Sequence, residues 1–513
     1  MDNIELSLFS NRISAICDEM GAVLRRVAFS PNIKDRLDFS CAVFNARGEL
    51  CAQAAHIPVH LGSMAYAMAD VVSAVDWFEG DLVVLNDPYM GGTHLPDVTV
   101  ISPVFVDSTM MGFVVNRAHH ADIGAESPGS MPVSSSLLEE GLVISPIKLM
   151  TADGMDQQVL DSLLSKLKNA EESMGDFGAQ ISANHRGLER LQLLIQSMGC
   201  EQYHQGLVAL NDYAAVMSKT ALTEIPDGEY EFSDVMDDDG QGHQNIVIKV
   251  TLTVKAGEVI ADFSGTDDQV KGNINCPLSV VAAAVFYVFR CLMPAQTPAC
   301  AGAFSSIKIS APKACLLNAE YPSAVAAGNV ETSTRVVDVV MGALAKAIPE
   351  RIPAASHGSM NNLAMGYQGD SNNPAWNYYE TIGGGMGAGK YGGGLNAVQT
   401  HMTNTLNTPI EVLETRYPLR IKRYQIRQGS GGSGDRNGGS GIIRVYEFLS
   451  PAQFTLLTER RLSAPWALGK AESGKKGNNQ LNQMPILAKV SSRVQSGDIL
   501  SVETPGGGGW SAS

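Results

Sequence analysis

The sequence predicts an α+β protein of mixed, multi-unit architecture, and three observations carry that expectation. Hydrophobic residues recur at helical spacing near the start and again across 157–222. Runs with a two-residue period fill the intervening stretches. The remainder, 352–513, is Gly-rich and reads as short strands and loops. At 513 residues the chain exceeds one ordinary domain core, so two to four units are expected. The predicted division is an N-terminal α/β region at 1–150, a helical arm at 151–225, antiparallel strands plus helices at 226–350, and a mainly β, Gly-rich part at 351–513.

Each element has its own signal. Ile13, Ile16, Met20, Val23, Leu24 and Val27 mark an opening helix. LDFSCAVF (37–44), NARG (45–48) and ELCAQ (49–53) read as a β-hairpin. A helix follows near 64–75, then strands near 81–85, 97–106 and 112–118. QQVLDSLLSKLKN and NHRGLERLQLLIQSM carry the 3.6-residue period of the helical arm. YEFSDV and IVIKVTLTVKAGEVIADFSG alternate as strands, with DDDGQG (237–242) as their turn. That acidic turn lacks the ordered ligands and closing Glu of a calcium loop. Helices are expected again at 279–292 and 334–347, and no internal repeat stands out.

Bulk composition excludes several functions. Asp and Glu total 53 against 37 Lys and Arg, a net charge of −16. Nucleic acid and anionic membrane would repel such a surface, so neither is expected as a partner. MDNIELSLFSNRISAICDEM has no basic segment leading into an apolar core, so no secretory signal is predicted. VVAAAVFYVF (280–289) is too short to span a bilayer and reads as a buried helix. Eight scattered Cys without CxxC spacing suit a reducing cytoplasm.

GGMGAGKY (384–391) nearly matches a phosphate loop, but Tyr391 replaces the hydroxyl that would ligate Mg²⁺ and no helix can follow YGGGLN. The Gly clusters at 383–394, 429–441 and 506–509 are expected to serve tight turns and close backbone packing, with an anion-binding concavity near Arg436 as the alternative. No GxSxG elbow, zinc finger, dinucleotide fingerprint or kinase set is present.

NDPYMGGTHLPD (86–97) follows the apolar run LVVL and bunches Asn, Asp, Thr and His around a Gly pair. Pro96 keeps His94 and Asp97 on a loop that can curl both side chains toward one point. If GFVVNRA pairs beside DVTVISPVFV, NRAHHAD (116–122) returns to that loop. His94, Asp97 and one of His119 or His120 then converge, since adjacent strand residues point to opposite faces. Two imidazoles and a carboxylate suit Zn²⁺, Mn²⁺ or Fe²⁺. The other His, Asp87, Asp122 and Glu126 would assist from outside or move protons. The bland alternative satisfies each group by local hydrogen bonds. In HIPVH (56–60), a structural role is expected for His60 ahead of one near the site, and Pro58 argues against a zincin-type helix.

At these residues the sequence resembles the hydantoinase B/oxoprolinase family: the B-type subunits or domains of ATP-dependent hydantoinases, 5-oxoprolinases, related lactamases, and acetone and acetophenone carboxylases. The resemblance is collinear over almost the whole chain. It includes ICDEMGAVLRRVAFSPNIKDRLDFSCAVFNARGELCAQAAHIPVHLGSM, NDPYMGGTHLPD, NRAHHADIGAESPGSMP, DFSGTDDQVKGNINCP, GNVETSTRVVDVV, NTPIEVLETRYPLRI, GSGGSGDRNGGSG and TPGGGGW. Departures are mild, at Gln428, Gly429 and NYYETIGGGMGAGKYGGG, and bear on substrate contacts.

The resemblance implies a divalent metal, Mn or Zn in related carboxylases, on His94, Asp97 and His119, with His120, Asp122 or Glu126 as proton-transfer candidates. It implies an A-type partner subunit in a heteromer, with two copies of each, that uses ATP and Mg²⁺ to phosphorylate a cyclic amide oxygen. A metal-bound water in this chain would then attack the activated carbon of a hydantoin, N-methylhydantoin, 5-oxoproline or lactam. The alternatives are a ketone carboxylase subunit and a non-catalytic scaffold subunit.

Overall fold

The computed structural model describes residues 1–54, 56–370 and 375–512. Helix α1 (Asn3–Val27) opens on a capping box: the Asp2 carboxylate accepts from the Ile4 and Glu5 amides, and Glu5 accepts from the Asp2 amide. After a short turn, α2 (Pro31–Lys34), the chain builds β1 (Phe39–Asn45), β2 (Leu50–Gln53), α3 (Pro58–Ala74), β3 (Leu82–Leu85), β4 (Asp97–Val106), β5 (Thr109–His119), β6 (Ile147–Thr151) and β7 (Gly154–Met155). These strands form one antiparallel sheet of seven in the order β2-β1-β5-β4-β3-β6-β7.

Two boundaries differ from the sequence reading. Helix α3 starts at Pro58 rather than near 64, because proline at the first helical position sacrifices an N–H that has no partner there anyway. Strand β5 starts at Thr109 rather than 112, because Asp107 and Ser108 both take positive φ and close a tight hairpin.

The 151–225 stretch holds α4 (Gln157–Leu164), α5 (Ala170–Met198) and α6 (Cys200–Leu222). Helix α5 lies across β4 and β5, where the Gln180 and Asn184 amides donate to the Val98 and Val100 carbonyls. On the other face, Met64, Met68 and Val71 of α3 pack on Phe44, Val83, Ile101 and Phe113. A second sheet, β8 (Gly228–Asp238), β9 (Gln244–Lys255), β10 (Glu258–Asp262) and β11 (Ile307–Ser310), carries α7 (Leu278–Leu292) and α8 (Ser333–Ala347). One apolar core joins α1, the first sheet, α7 and α8. No helix among the described residues is long and apolar enough to cross a membrane.

The C-terminal part contributes β12 (Asn362–Tyr367), β13 (Trp376–Glu380), α9 (Ile410–Arg416), β14 (Leu419–Ile426), β15 (Ile442–Phe448), β16 (Ala452–Leu457), β17 (Asn478–Leu481), β18 (Met484–Pro485), β19 (Lys489–Val494) and β20 (Ile499–Glu503). They form sheets ordered β13-β12-β16-β19 and β14-β15-β20-β17-β18 around a core of Met365, Tyr446, Phe448, Phe454 and Leu500. The α+β class therefore stands. Beside these sheets the Gly clusters lie backbone against backbone: the Gly439 amide donates to Met386, Gly507 to Gly439, and Gly432 to Gly507. In the phosphate-loop look-alike, Lys390 pairs with Glu350 and no helix follows.

Candidate metal centre

The loop before β4 is pinned from inside. The Asn86 amide donates to the Leu95 and Leu142 carbonyls, and its carbonyl oxygen accepts from the Ile144 amide. A side chain on Gly92 would meet the Asn86 carbonyl at 2.4 Å, so only glycine allows this close turn. The turn then delivers His94, and the Asp97 amide donates back to the His94 carbonyl. Asp97 opens β4 directly opposite His119, the last residue of β5. Antiparallel partners share a face, so both side chains point the same way.

One ligand atom each from His94, Asp97 and His119 lie within 4.8 Å of one another, and all three side chains are buried. Among the described residues, the His94 Nε2, Asp97 Oδ1 and His119 Nε2 atoms find no hydrogen-bond partner. Three converging buried atoms without hydrogen bonds are costly unless something else satisfies them. Two imidazole nitrogens and one carboxylate oxygen are the donor set of a divalent transition ion. The residues present fit such a group.

Surrounding contacts aim these atoms. Asp97 Oδ2 accepts from the Thr93 hydroxyl at 2.5 Å and the Asn329 amide at 3.1 Å, which leaves Oδ1 for the centre. His94 Nδ1 lies 3.1 Å from the Ala326 carbonyl, so its proton sits there and Nε2 keeps its lone pair. Glu140 accepts from the Val325 and Ala326 amides and fixes that loop; burial pushes its carboxyl up to about 7. His119 stacks on Tyr379 with centroids 4.8 Å apart. Its Nδ1 lies 3.2 Å from Asn32 Nδ2, whose carbonyl oxygen accepts from Arg36. Because Arg36 holds its oxygen, the Asn32 carboxamide presents Nδ2 to that nitrogen.

Electrostatics follow the same geometry. Burial alone would raise the Asp97 carboxyl, but the His60 and His94 imidazoles hold it well below the usual range. His94 is pulled down by burial and up by Asp97, with a net rise. Burial, with His94 beside it, holds His119 well below an ordinary histidine, hence neutral.

The remaining sequence candidates go elsewhere. His120 faces α5, with Nε2 2.9 Å from Gln180 Oε1 and its ring tilted on Phe177. Strand alternation turns it away from the face that carries His119. Asp122 accepts from the Gly124, Lys168 and Asn169 amides and anchors the start of α5. Glu126 is exposed on a separate surface cavity with Lys168 and Trp376. Among the described residues, none of their side-chain contacts reaches the trio. Asp87 caps a short turn at Tyr89.

Sequence reasoning placed a structural role for His60 ahead of one near the site; its Nε2 stands 3.2 Å from Asp97 Oδ1 and 3.9 Å from Asp38 Oδ1. Thr93 was noted only as part of the NDPYMGGTHLPD loop, and Asn32, Asp38, Asn329 and Tyr379 were not singled out at all. Asn32 and Asp38 lie in SPNIKDRLDF and Asn329 in GNVETSTRVVDVV, blocks that hold polar residues beside buried elements; Tyr379 lies in NYYETIGGG.

Glu331 shares the Asn329 turn; its Oε1 accepts from the Met360 amide and Asn362 Nδ2. Burial, with Glu459 nearby, pushes the carboxyl from 4.5 up to about 8. Between those pH values the folded chain holds a proton that the unfolded chain releases, so stability falls as pH rises from 4.5 to about 8. Glu331→Gln keeps the accepting oxygen and cannot ionise. Urea midpoints across that window should decline less in the variant; an equally steep decline would exclude Glu331 as the source.

The hydantoinase B/oxoprolinase family model matches residues 2–513. 5-Oxoprolinase 1 of Arabidopsis thaliana is 37% identical over 100% of this chain, which spans 42% of that protein's length. A Pseudomonas sp. (strain NS671) protein, provisionally named as the B-type subunit of a D-/L-hydantoinase, is 31% identical, with 99% of this chain and 90% of that one covered. Among solved structures, the ATP-dependent caprolactamase from Pseudomonas jessenii superposes with a TM-score of 0.92 at 26% identity, covering 100% of this chain and 91% of that chain. Matched from end to end by the family model and carrying the collinear blocks that build this centre, the chain belongs to the hydantoinase B/oxoprolinase family.

Proposed function

We propose that this chain is the ring-opening, B-type component of an ATP-dependent cyclic-amide hydrolase, acting on a hydantoin, 5-oxoproline or lactam that a partner A-type subunit has phosphorylated. The observation that carries the reading is the convergence of His94, Asp97 and His119 on one buried point. The names of the relatives support it: all three are named for cyclic amides, and one of them also for its B-type role.

His94, Asp97 and His119 would hold one divalent cation, Zn²⁺, Mn²⁺ or Fe²⁺. Bound there, such an ion lowers the pKa of water toward about 7 and polarises an oxygen of the substrate. An unstrained amide is a poor electrophile, and phosphorylating its oxygen removes that obstacle. The chain's own residues do the rest. Thr93 and Asn329 fix the Asp97 carboxylate, and the Ala326 carbonyl fixes the His94 tautomer. Val59, Met360 and Tyr379 wall the site against bulk water. His60, with Nε2 between Asp97 and Asp38, is the imidazole placed to move a proton beside the trio, in the role first given to His120, Asp122 and Glu126.

Purified alone, the chain should retain roughly one divalent ion and hydrolyse no ATP. Elemental analysis finding no metal in the unaltered chain would sink the reading. Co-expressed with an A-type subunit, it should release ADP in response to a hydantoin or lactam. ADP release that requires bicarbonate and a ketone would assign carboxylase chemistry instead.

A further inference from the structure

Gly328–Thr332 forms a single π-helical turn immediately before α8. Such widened turns displace one residue from helical register and recur at functional sites. Here the turn carries Asn329, a residue 2% exposed. Its Nδ2 donates to Asp97 Oδ2 at 3.1 Å. A carboxylate only accepts, so this contact fixes which end of the carboxamide faces Asp97. The carbonyl end, Oδ1, then points away and has no hydrogen-bond partner among the described residues.

Asn329 also lines a small cavity beside the trio, together with Asp38, His60, His119, Tyr379 and Thr403. The cavity measures about 20 Å³, room for roughly one water. Thr93, the other donor to Asp97 Oδ2, does not line it. Asn329 therefore differs from Thr93 in offering a buried, unpaired acceptor at the wall of a one-water space. An unpaired buried oxygen is costly to maintain for packing alone.

We infer that Asn329 Oδ1 orients the water that attacks the activated ring, an inference that rests on the cyclic-amide reading above. By accepting a hydrogen bond from one O–H, it turns an oxygen lone pair toward the substrate carbon. The water oxygen then forms the new C–O bond, the C=N pair moves onto the ring nitrogen, and that nitrogen takes up the proton released by the water. The new hydroxyl then gives its proton to the same nitrogen as a carbonyl forms and the ring C–N bond breaks, leaving an amine and an acyl phosphate from which a second water releases phosphate. Asn329 contributes an acceptor and an orientation, and no proton of its own.

The test uses the full chain loaded with Mn²⁺, then the complex with its A-type partner. Asn329→Ala and Asn329→Ser should both keep wild-type Mn²⁺ content, because all three ligands remain. The ¹⁷O relaxation of solvent water should report faster exchange at the Mn²⁺-loaded chain in both variants. In the complex, ADP release should continue while ring opening falls about 100-fold in kcat with little change in KM. Thr93→Val is the comparator, since it removes the other donor to Asp97 without touching the cavity wall. If the Asn329 variants match Thr93→Val in Mn²⁺ content, water exchange and ADP-to-product ratio, Asn329 merely holds Asp97 and the inference is overturned. A wild-type chain that takes up no Mn²⁺ overturns the cyclic-amide reading and this inference together, an outcome distinct from Mn²⁺ bound with unaltered water exchange.

Discussion

Asp97→Ala is expected to abolish the divalent-ion binding proposed for the centre and to reduce the proposed ring opening by at least about 100-fold. The carboxylate is the only anionic ligand of the trio, and its two oxygens are divided between the centre and the Thr93 and Asn329 donors. Removing it leaves His60 Nε2 and His94 Nε2 without the carboxylate oxygen that faces them at 3.2 and 3.3 Å. Breaking a buried ionic contact on one side costs about 3 kcal/mol, so the metal-free variant should also unfold at lower urea. In the unaltered metal-free chain, the depressed Asp97 carboxyl contributes stability above its ordinary value of 3.8, and that contribution is lost as pH falls below it. Elemental analysis, urea melts and product assays of the complex check the three parts separately. Retention of metal and full activity would leave only a scaffold role.

Gly385→Ala is expected to have the largest effect on stability, a loss of at least about 3 kcal/mol with a matching fall in soluble yield. A Cβ at Gly385 would lie 1.9 Å from the Gly439 carbonyl oxygen and 2.4 Å from the Gly507 amide nitrogen. Both neighbours are backbone, fixed by the Gly439-to-Met386 and Gly507-to-Gly439 hydrogen bonds, so neither can rotate away. Gly178→Ala supplies the contrast. It sits within α5 with nothing within 4 Å of the point a Cβ would occupy, and alanine favours a helix by about 1 kcal/mol. Urea denaturation should separate the two substitutions in sign; a tolerated Gly385→Ala would mean that the three Gly segments are not packed backbone to backbone.

The helices and strands were legible because each carries a periodic apolar face: α1, α5 and β9 each show one in the sequence alone. The starts of α3 and β5 were misread because proline chemistry and a positive-φ turn set them, and periodicity is blind to both. The Gly clusters were legible as close packing, while their partners were not, since glycine carries no pattern that identifies what it lies against.

At the centre, the chain by itself determined the donor types: a loop imidazole and carboxylate three residues apart, and a strand-end pair of imidazoles. Strand alternation narrowed that pair to one face. Only the tertiary structure decided which face, because His119 is opposite Asp97 in the sheet while His120 meets α5, a helix assembled much later in sequence. It also decided the supporting residues. Asn329, Ala326 and Tyr379 lie hundreds of positions from the loop they steady, and short side-chain contacts across such separations leave no local signature in sequence. Local periodicity fixes what each segment offers; register and packing choose which offers meet.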